Sequence, residues 1–165
     1  YGIFPTILSV CHSPDWLIDT GANVHVCGDI SMFSSYKTAG TSTVLMGNGS
    51  SASVHGVGTV DLKFTSGKIV RLKNVHYVHS VNKDLVSGSF LCRDGYKLVF
   101  ESNKFVISKY GTFVGKGYES GGLFRLSLCH AQDATLSERN STVPPRVDPH
   151  IETLLQGGYH YINIT

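Results

Sequence analysis

Near the start of the chain, residues 16–22 read Trp-Leu-Ile-Asp-Thr-Gly-Ala. The apolar run that begins at Trp16 predicts a short buried strand, and this strand delivers the carboxylate of Asp19 into a turn. Thr20 and Gly21 follow at once: a hydroxyl residue that bonds local backbone amides, and a glycine that adopts positive φ easily. The stretch is therefore either an ordinary turn or the carrier of a catalytic carboxylate.

The sequence on either side of this stretch predicts an all-β domain. No proline occurs between residues 15 and 143, and fifteen of the eighteen glycines fall inside that segment. Short apolar or alternating runs recur about every 8–12 residues with turn residues between them, and Asn48-Gly49 is a favoured hairpin turn. We therefore predict a small closed barrel of short antiparallel strands with at most one or two short helices, one after Asp29 and one within residues 84–91.

Composition sets the expected boundaries and excludes some classes of protein. A hydrophobic content of 41% excludes a wholly disordered chain, and no run approaches the roughly 18 apolar residues that a membrane span needs.

We expect an N-terminal arm at residues 1–14, a β-domain at residues 15–128, and a linker or disordered tail at residues 129–165, where the strand pattern stops. A net charge of +2 is weak for a nucleic-acid binder, so direct nucleic-acid binding is not expected.

The four cysteines are far apart and include no Cys-x-x-Cys pair: Cys11, Cys27, Cys92 and Cys129. This usage favours reduced thiols in an intracellular, cytoplasmic protein over a disulfide framework. His25 and Cys27, with Cys11 and His12, form a conceivable zinc set, but the spacing is irregular and matches no known ligand pattern. We therefore expect no metal and no other cofactor.

The stretch around Asp19 resembles the active-site turn of aspartic proteases. Hydrolysis of a peptide by carboxyl groups needs two of them sharing one proton, as aspartic proteases illustrate. Asp19 is the only aspartate of the sequence that is followed by Ser or Thr and then Gly. One chain therefore offers half a site, and two chains about a two-fold axis would supply both aspartates.

An ordered series of further motifs is similar to the protease of copia-type retrotransposon Pol polyproteins, over about residues 15–128. His25 follows the Asp-Thr-Gly-Ala stretch at the family's usual place, although the family more often has Ser where this chain has Thr20. The other matching segments are residues 47–50 (Gly-Asn-Gly-Ser), 54–60 (Val-His-Gly-Val-Gly-Thr-Val), 72–78 (Leu-Lys-Asn-Val-His-Tyr-Val), 83–91 (Lys-Asp-Leu-Val-Ser-Gly-Ser-Phe-Leu), 95–96 (Gly-Tyr) and 121–126 (Gly-Gly-Leu-Phe-Arg-Leu).

The resemblance implies a retropepsin-like barrel that is active as a homodimer and cleaves extended peptides of a polyprotein. Asp19 would be the catalytic aspartate, Thr20 would bond across the dimer, and Gly21 would let the backbone orient the carboxylate. The glycine-rich hairpin between Met46 and Val60 is the flap candidate. For a working element the resemblance also implies a place in virus-like particles. The weak net charge and the lack of a spanning run separately predict no membrane partner.

Within that hairpin, Gly56, Val57 and Gly58 are the candidate substrate-binding residues, with the two glycines as its mobile part. Ordinary hairpin turns remain the alternative reading of these glycines.

Two alternatives to a working protease remain open. The family pattern ends after Leu128, so the chain is alternatively a truncated, inactive β-barrel remnant with no activity or with a role as an interaction module. The other alternative is an RNA-associated fragment of the polyprotein, for which Lys68, Arg71 and Lys73 form a small basic cluster.

Overall fold

The computed structural model describes residues 15–129, which form ten β-strands, one α-helix and one short 3-10 helix. The predicted arm at residues 1–14 and all but the first residue of the predicted tail lie outside the described residues. The elements in chain order are β1 (Trp16–Asp19), β2 (Val26–Cys27), the 3-10 helix (Ile30–Met32), β3 (Phe33–Leu45), β4 (Ser51–Lys63), β5 (Ile69–Tyr77), β6 (Asp84–Ser87), α1 (Gly88–Arg93), β7 (Tyr96–Glu101), β8 (Lys104–Lys109), β9 (Thr112–Ser120) and β10 (Leu123–Leu126).

The described strands form a single open sheet in the order β3-β4-β5-β2-β6-β1-β10-β9-β8-β7. The all-β class and the scarcity of helix are as predicted, but the closed barrel is wrong. A sheet closes only when its two outer strands pair with each other, and β3 and β7 pair only with β4 and β8. Regular turn spacing indicates many strands, but it carries no information about which of them pair.

Two parallel strand pairs at the centre of the sheet also depart from the prediction of antiparallel strands throughout. β1 runs parallel to β6, and β2 runs parallel to β5. β6 occupies residues 84–87, where we predicted the start of a helix capped by Asp84. The helix begins only at Gly88, where the Ser87 side chain caps it by accepting the Phe90 amide.

The predicted turn after Asp29 and the predicted hairpin at Asn48-Gly49 are both present. The Asp29 side chain accepts the Ser31 amide and caps the 3-10 helix. Gly49 has φ of 83° in the turn between β3 and β4, where the Gly49 amide donates to the Met46 carbonyl oxygen at 2.9 Å. Both features depend on residues close in sequence, which is why the sequence alone predicts them.

The core lies around β1 and consists of two apolar clusters. The larger cluster contains Trp16 and Ile18 of β1 together with buried residues of β4, β5 and β7–β10. The smaller cluster joins Val26 of β2 to Val44 and Val54 of the β3–β4 hairpin. β1 contributes to the larger cluster, pairs with β6 on one side and with β10 on the other, and ends at Asp19. Within the described residues, no helix is long and apolar enough to cross a membrane.

Candidate active site

Asp19 is the last residue of β1, and its carboxylate organises the turn that follows. The Gly21 amide donates to Asp19 Oδ1 at 2.8 Å, and the Ala22 amide donates to the same oxygen at 3.2 Å. A carboxylate that accepts hydrogen bonds from two backbone amides is fixed in orientation. Both of these bonds end on Oδ1, so neither involves the second oxygen, Oδ2. The structure therefore places Asp19, Thr20 and Gly21 together in one turn at the end of a buried strand. Residues 19–22 are called the active turn below, after the candidate role of Asp19.

The segment from β6 into α1 supports this turn from behind. Asp19 lies in register with Ser87 in the parallel β1–β6 pair. The Ser87 hydroxyl donates to the Ala22 carbonyl oxygen at 2.6 Å, and the Ser89 hydroxyl reaches the same oxygen at 3.2 Å. A Cβ added at Gly88 would lie 3.3 Å from Thr20 Cγ2, so the start of α1 contacts the turn closely. These contacts tie the turn to the β6–α1 segment.

His25 is the residue beside this turn whose structural role sequence reasoning missed. Its side chain is 1% exposed, and its Nδ1 accepts the Ser87 amide at 2.9 Å, which assigns the proton to Nε2 and leaves the ring neutral. Burial lowers the pKa of His25 from 6.5 to about 4, with Asp94 opposing this shift and His76 adding to it. The sequence placed His25 in a motif and in a zinc set, but only the fold shows that it ties β6 to the loop after the active turn.

Cys27 and Asp84 are buried polar groups with partners among the described residues. Burial raises the pKa of the Cys27 thiol to about 12, and the nearby Asp84 adds to the shift. Asp84 accepts the Gly28 amide at 2.7 Å, and burial raises the pKa of its carboxyl group. Among residues 15–129, no three His, Cys, Asp or Glu side chains converge as metal ligands do; Cys11 and His12 lie outside this range.

The β3–β4 hairpin packs against the segment that follows the active turn. Val44 and Val54, near its end, share the smaller cluster with Val26 of β2, and Val24 packs against the same cluster. Leu45, next to the turn of the hairpin, is 78% exposed. The hairpin thus projects from the site with one face anchored by valines and an apolar side chain exposed at its end.

Gly56, Val57 and Gly58 lie in the middle of β4, paired with β3 on one side and β5 on the other, and they do not form the turn of the hairpin. A Cβ added at Gly56 would overlap the ring of Tyr36, and one added at Gly58 would overlap the Ser35 carbonyl oxygen. Both glycines therefore make room for neighbouring groups. Val57 packs against the smaller apolar cluster.

These close approaches predict different costs for alanine at the two glycines. Gly58→Ala should lower the free energy of unfolding by about 2 kcal/mol, because the new methyl group meets backbone that cannot move freely. Gly56→Ala should cost less than about 1 kcal/mol, because it meets only the outer end of the half-exposed Tyr36 ring. Urea denaturation of both variants measures the two costs. If the two alanine variants lose the same free energy of unfolding, packing does not explain why glycine occupies these two positions.

Residues 16–96 match the family model described as Pol polyprotein, beta-barrel domain. The chain is 33% identical over 120 residues to a retrovirus-related Pol polyprotein from transposon TNT 1-94 of Nicotiana tabacum, a match that spans 72% of this chain and 9% of that protein. It is 35% identical over 75 residues to a putative transposon Ty5-1 protein of Saccharomyces cerevisiae, a match that spans 46% of this chain and 48% of that protein. No solved structure matches the chain significantly.

The fold and these matches define a domain of a retrotransposon polyprotein: residues 16–96 match the Pol polyprotein β-barrel domain family, and the similar proteins support a copia-type Pol polyprotein. The predicted resemblance to a copia-type Pol polyprotein is thereby confirmed. The chain spans less than half the length of either relative. The family match begins at the first residue of β1 and ends at the first residue of β7, so it contains the active turn, His25 and the β3–β4 hairpin.

Proposed function

We propose that the domain is an aspartic endopeptidase that cleaves peptide bonds of a retrotransposon polyprotein, with Asp19 contributed by each of two identical chains. The observation that carries the proposal is the active turn itself. A buried strand presents Asp19, and two backbone amides orient its carboxylate. The β6–α1 segment braces the turn through Ser87 and Ser89. The match to the Pol polyprotein family supplies the class of substrate.

In the proposed reaction the two Asp19 carboxyl groups share one proton across the two-fold axis. The ionised group takes a proton from a water molecule, whose oxygen attacks the peptide carbonyl carbon. The protonated group donates its proton to the carbonyl oxygen, giving a tetrahedral diol. Collapse of the diol returns a proton to the leaving amine and breaks the C–N bond. Thr20 contributes to the contact between the two turns, and Gly21 and Ala22 hold each carboxylate in place through their amides.

The substrate in this proposal is an extended peptide lying between the active turn and the β3–β4 hairpin. Extended peptides bind through backbone hydrogen bonds and alternate side-chain pockets. The hairpin acts as the substrate-binding flap, with residues 47–50 as its tip and Gly56, Val57 and Gly58 in its paired stem. The exposed Leu45 and the half-buried Met46 beside the tip provide apolar contacts for the peptide.

A cleavage assay on a peptide library, with and without pepstatin, tests the proposal, and sedimentation of the same samples reads the oligomeric state. We expect pepstatin-sensitive cleavage with an acidic-to-neutral optimum, from a protein that sediments as a dimer. A folded, monomeric protein that cuts no peptide would contradict the proposal and favour an inactive polyprotein module. A steep loss of RNA binding with salt would favour an RNA-associated module instead.

A further inference from the structure

A groove of about 670 Å³ lies across β3, β4 and β5. Its wall consists of residues 37–40 of β3, residues 57–59 of β4 and residues 73–74 of β5. Strand pairing is irregular on both sides of β4 here, because the register of the β3–β4 pair shifts after Thr38 and that of the β4–β5 pair shifts after Gly58. Such bulges bend a strand and redirect its side chains, so the groove follows from the irregular pairing.

The charged side chains of this groove are two lysines, Lys37 and Lys73, and the described residues that line it include no Asp or Glu. Both lysines are exposed, and neither forms an ion pair within residues 15–129. Arg71, two residues before Lys73, is instead held by Asp61 through two hydrogen bonds. The basic cluster that the sequence indicated along β5 is therefore divided, and the unpaired charge of Lys73 shares a groove with that of Lys37.

The remaining residues of the wall suit phosphate groups better than a peptide. Thr38, Thr59 and Asn74 line the groove beside the lysines, and Lys, Thr and Asn side chains are among the groups that contact the phosphates and sugars of nucleic acids. The apolar side chains of the wall are limited to Ala39 and Val57. Protein partners owe most of their affinity to a few large anchors such as Trp, Tyr and Arg, and the described lining has none. The groove therefore favours a polyanion that binds through its backbone.

We propose that the groove binds a nucleic-acid strand through its phosphate groups, with Lys37 and Lys73 each contacting one phosphate. Contacts of this kind carry no sequence information, so binding does not depend on the bases. The net charge of +2 led to the expectation of no direct nucleic-acid binding, but attraction depends on where the charges lie as well as on their sum. The site goes beyond the proposed function, because neither Asp19 nor a second chain takes part in it.

Fluorescence anisotropy of a labelled oligouridylate of about twelve nucleotides, titrated with the full chain, measures this binding. Near 20 mM salt we expect a Kd on the order of 100 µM, at the weak end of sequence-independent binding. Two phosphate contacts predict that the logarithm of the affinity falls with the logarithm of the salt concentration with a slope of about −1.4. No binding at about 500 µM chain would overturn the proposal. A slope steeper than about −4 would overturn it too, because that slope needs more contacts than two lysines make.

Neutralising each lysine locates the site. Lys37→Gln and Lys73→Gln should each weaken binding roughly threefold to tenfold and make the slope shallower by about 0.7, because each removes one phosphate contact. Both side chains are exposed, so thermal melts of the variants should match the wild type. Lys116→Gln is the matched control, because it removes the same charge from an exposed lysine on β9, which four strands separate from β5 in the sheet order.

The control should keep the wild-type Kd to within about twofold, because charges far from a site are screened by salt. Equal weakening by all three changes would show that net charge alone attracts the probe, and it would overturn the groove as the site. Wild-type binding by both groove variants would overturn it as well.

An oligoglutamate of equal charge, used as a competitor, distinguishes phosphates from the carboxylates of an acidic peptide. We expect it to compete at least about threefold more weakly than unlabelled oligouridylate, because it lacks the sugar and phosphate groups that Thr and Asn side chains contact. Equal competition would overturn the nucleic-acid assignment and favour an acidic peptide.

Binding and cleavage report on different claims. Asp19→Asn should bind the oligouridylate as the wild type does, because residues 19–21 do not line the groove. Peptide cleavage by a chain that fails the binding tests overturns the groove and leaves the proposed function standing. A chain that binds with the expected pattern but cuts no peptide confirms the groove and overturns the proposed function.

Discussion

Replacing Asp19 with Asn is expected to lower the rate of peptide cleavage by about 10²–10⁴-fold or more, the contribution of general acid–base catalysis. Asn has no acidic proton to share and does not take one from water near neutral pH, so the pair of carboxyl groups is lost. The Asn side-chain oxygen still accepts hydrogen bonds, so the bonds from the Gly21 and Ala22 amides can persist. The fold and the dimer should therefore survive the change.

Initial rates on a cleaved library peptide, with sedimentation and thermal melts of the same samples, measure these outcomes. Asp61→Asn is the matched control, because Asp61 is a strand aspartate whose carboxylate binds the exposed Arg71 at 2.8 Å. The control should keep wild-type cleavage. If the Asp19→Asn variant cleaves at the wild-type rate, the aspartic mechanism is wrong.

The second large effect concerns His25 and pH. Its folded-state pKa of about 4 lies below the ordinary 6.5 because the ring is buried. Between these two values the unfolded chain binds a proton that the folded chain does not, so stability falls as pH drops from about 6.5 to about 4. The loss from this one group is on the order of 3 kcal/mol, complete near pH 4 and absent above pH 6.5.

His25→Gln should remove this pH dependence, because glutamine does not titrate. At pH 7 the variant should be less stable than wild type, since it disturbs the Nδ1 contact with the Ser87 amide. The difference in unfolding free energy between the wild type and the variant should shrink or reverse towards pH 4. The reason is that only the wild type loses the contribution of His25. Denaturant unfolding at several pH values measures the gap, with the exposed His55→Gln as control. A gap that stays constant from pH 7 to pH 4 would show that His25 is not held neutral.

This behaviour sets an acid limit on the proposed enzyme. Protonation of His25 would end its acceptance of the Ser87 amide, and Ser87 lies in register with Asp19. We therefore expect cleavage activity to fall together with stability as the pH drops. This limit applies even though the proton shared by the two Asp19 carboxyl groups itself favours acidic conditions.

The sequence predicts the parts of the site that are local. The turn after β1, the hairpin turn at Asn48-Gly49 and the cap at Asp29 all follow from neighbouring residue types. The parallel pairing of β1 with β6 does not, because it joins Asp19 to Ser87 across 68 residues. The role of His25 does not follow from neighbouring residues either. A histidine at that position is compatible with a motif, with a metal site or with a buried hydrogen-bond acceptor.

The remaining differences between the sequence patterns and the fold have the same physical origin. Gly56 and Gly58 resemble mobile turn residues in sequence, but in the fold they accommodate Tyr36 and the Ser35 backbone. Asp84 is suited to cap a helix, yet residues 84–87 form a strand because they pair with both β1 and β2. The closed barrel failed for the same reason, because strand order is a property of long-range pairing.

Mixing the wild-type chain with the Asp19→Asn variant tests the shared active site most directly. If each site needs an aspartate from both chains, then after exchange a roughly ninefold excess of the variant should leave about a tenth of the wild-type chains in active pairs. Cleavage per wild-type chain should fall to about that fraction. Cleavage that stays proportional to the wild-type chain alone, while an affinity tag on one chain co-purifies the other and so confirms mixed dimers, would show that one Asp19 suffices and would contradict the account.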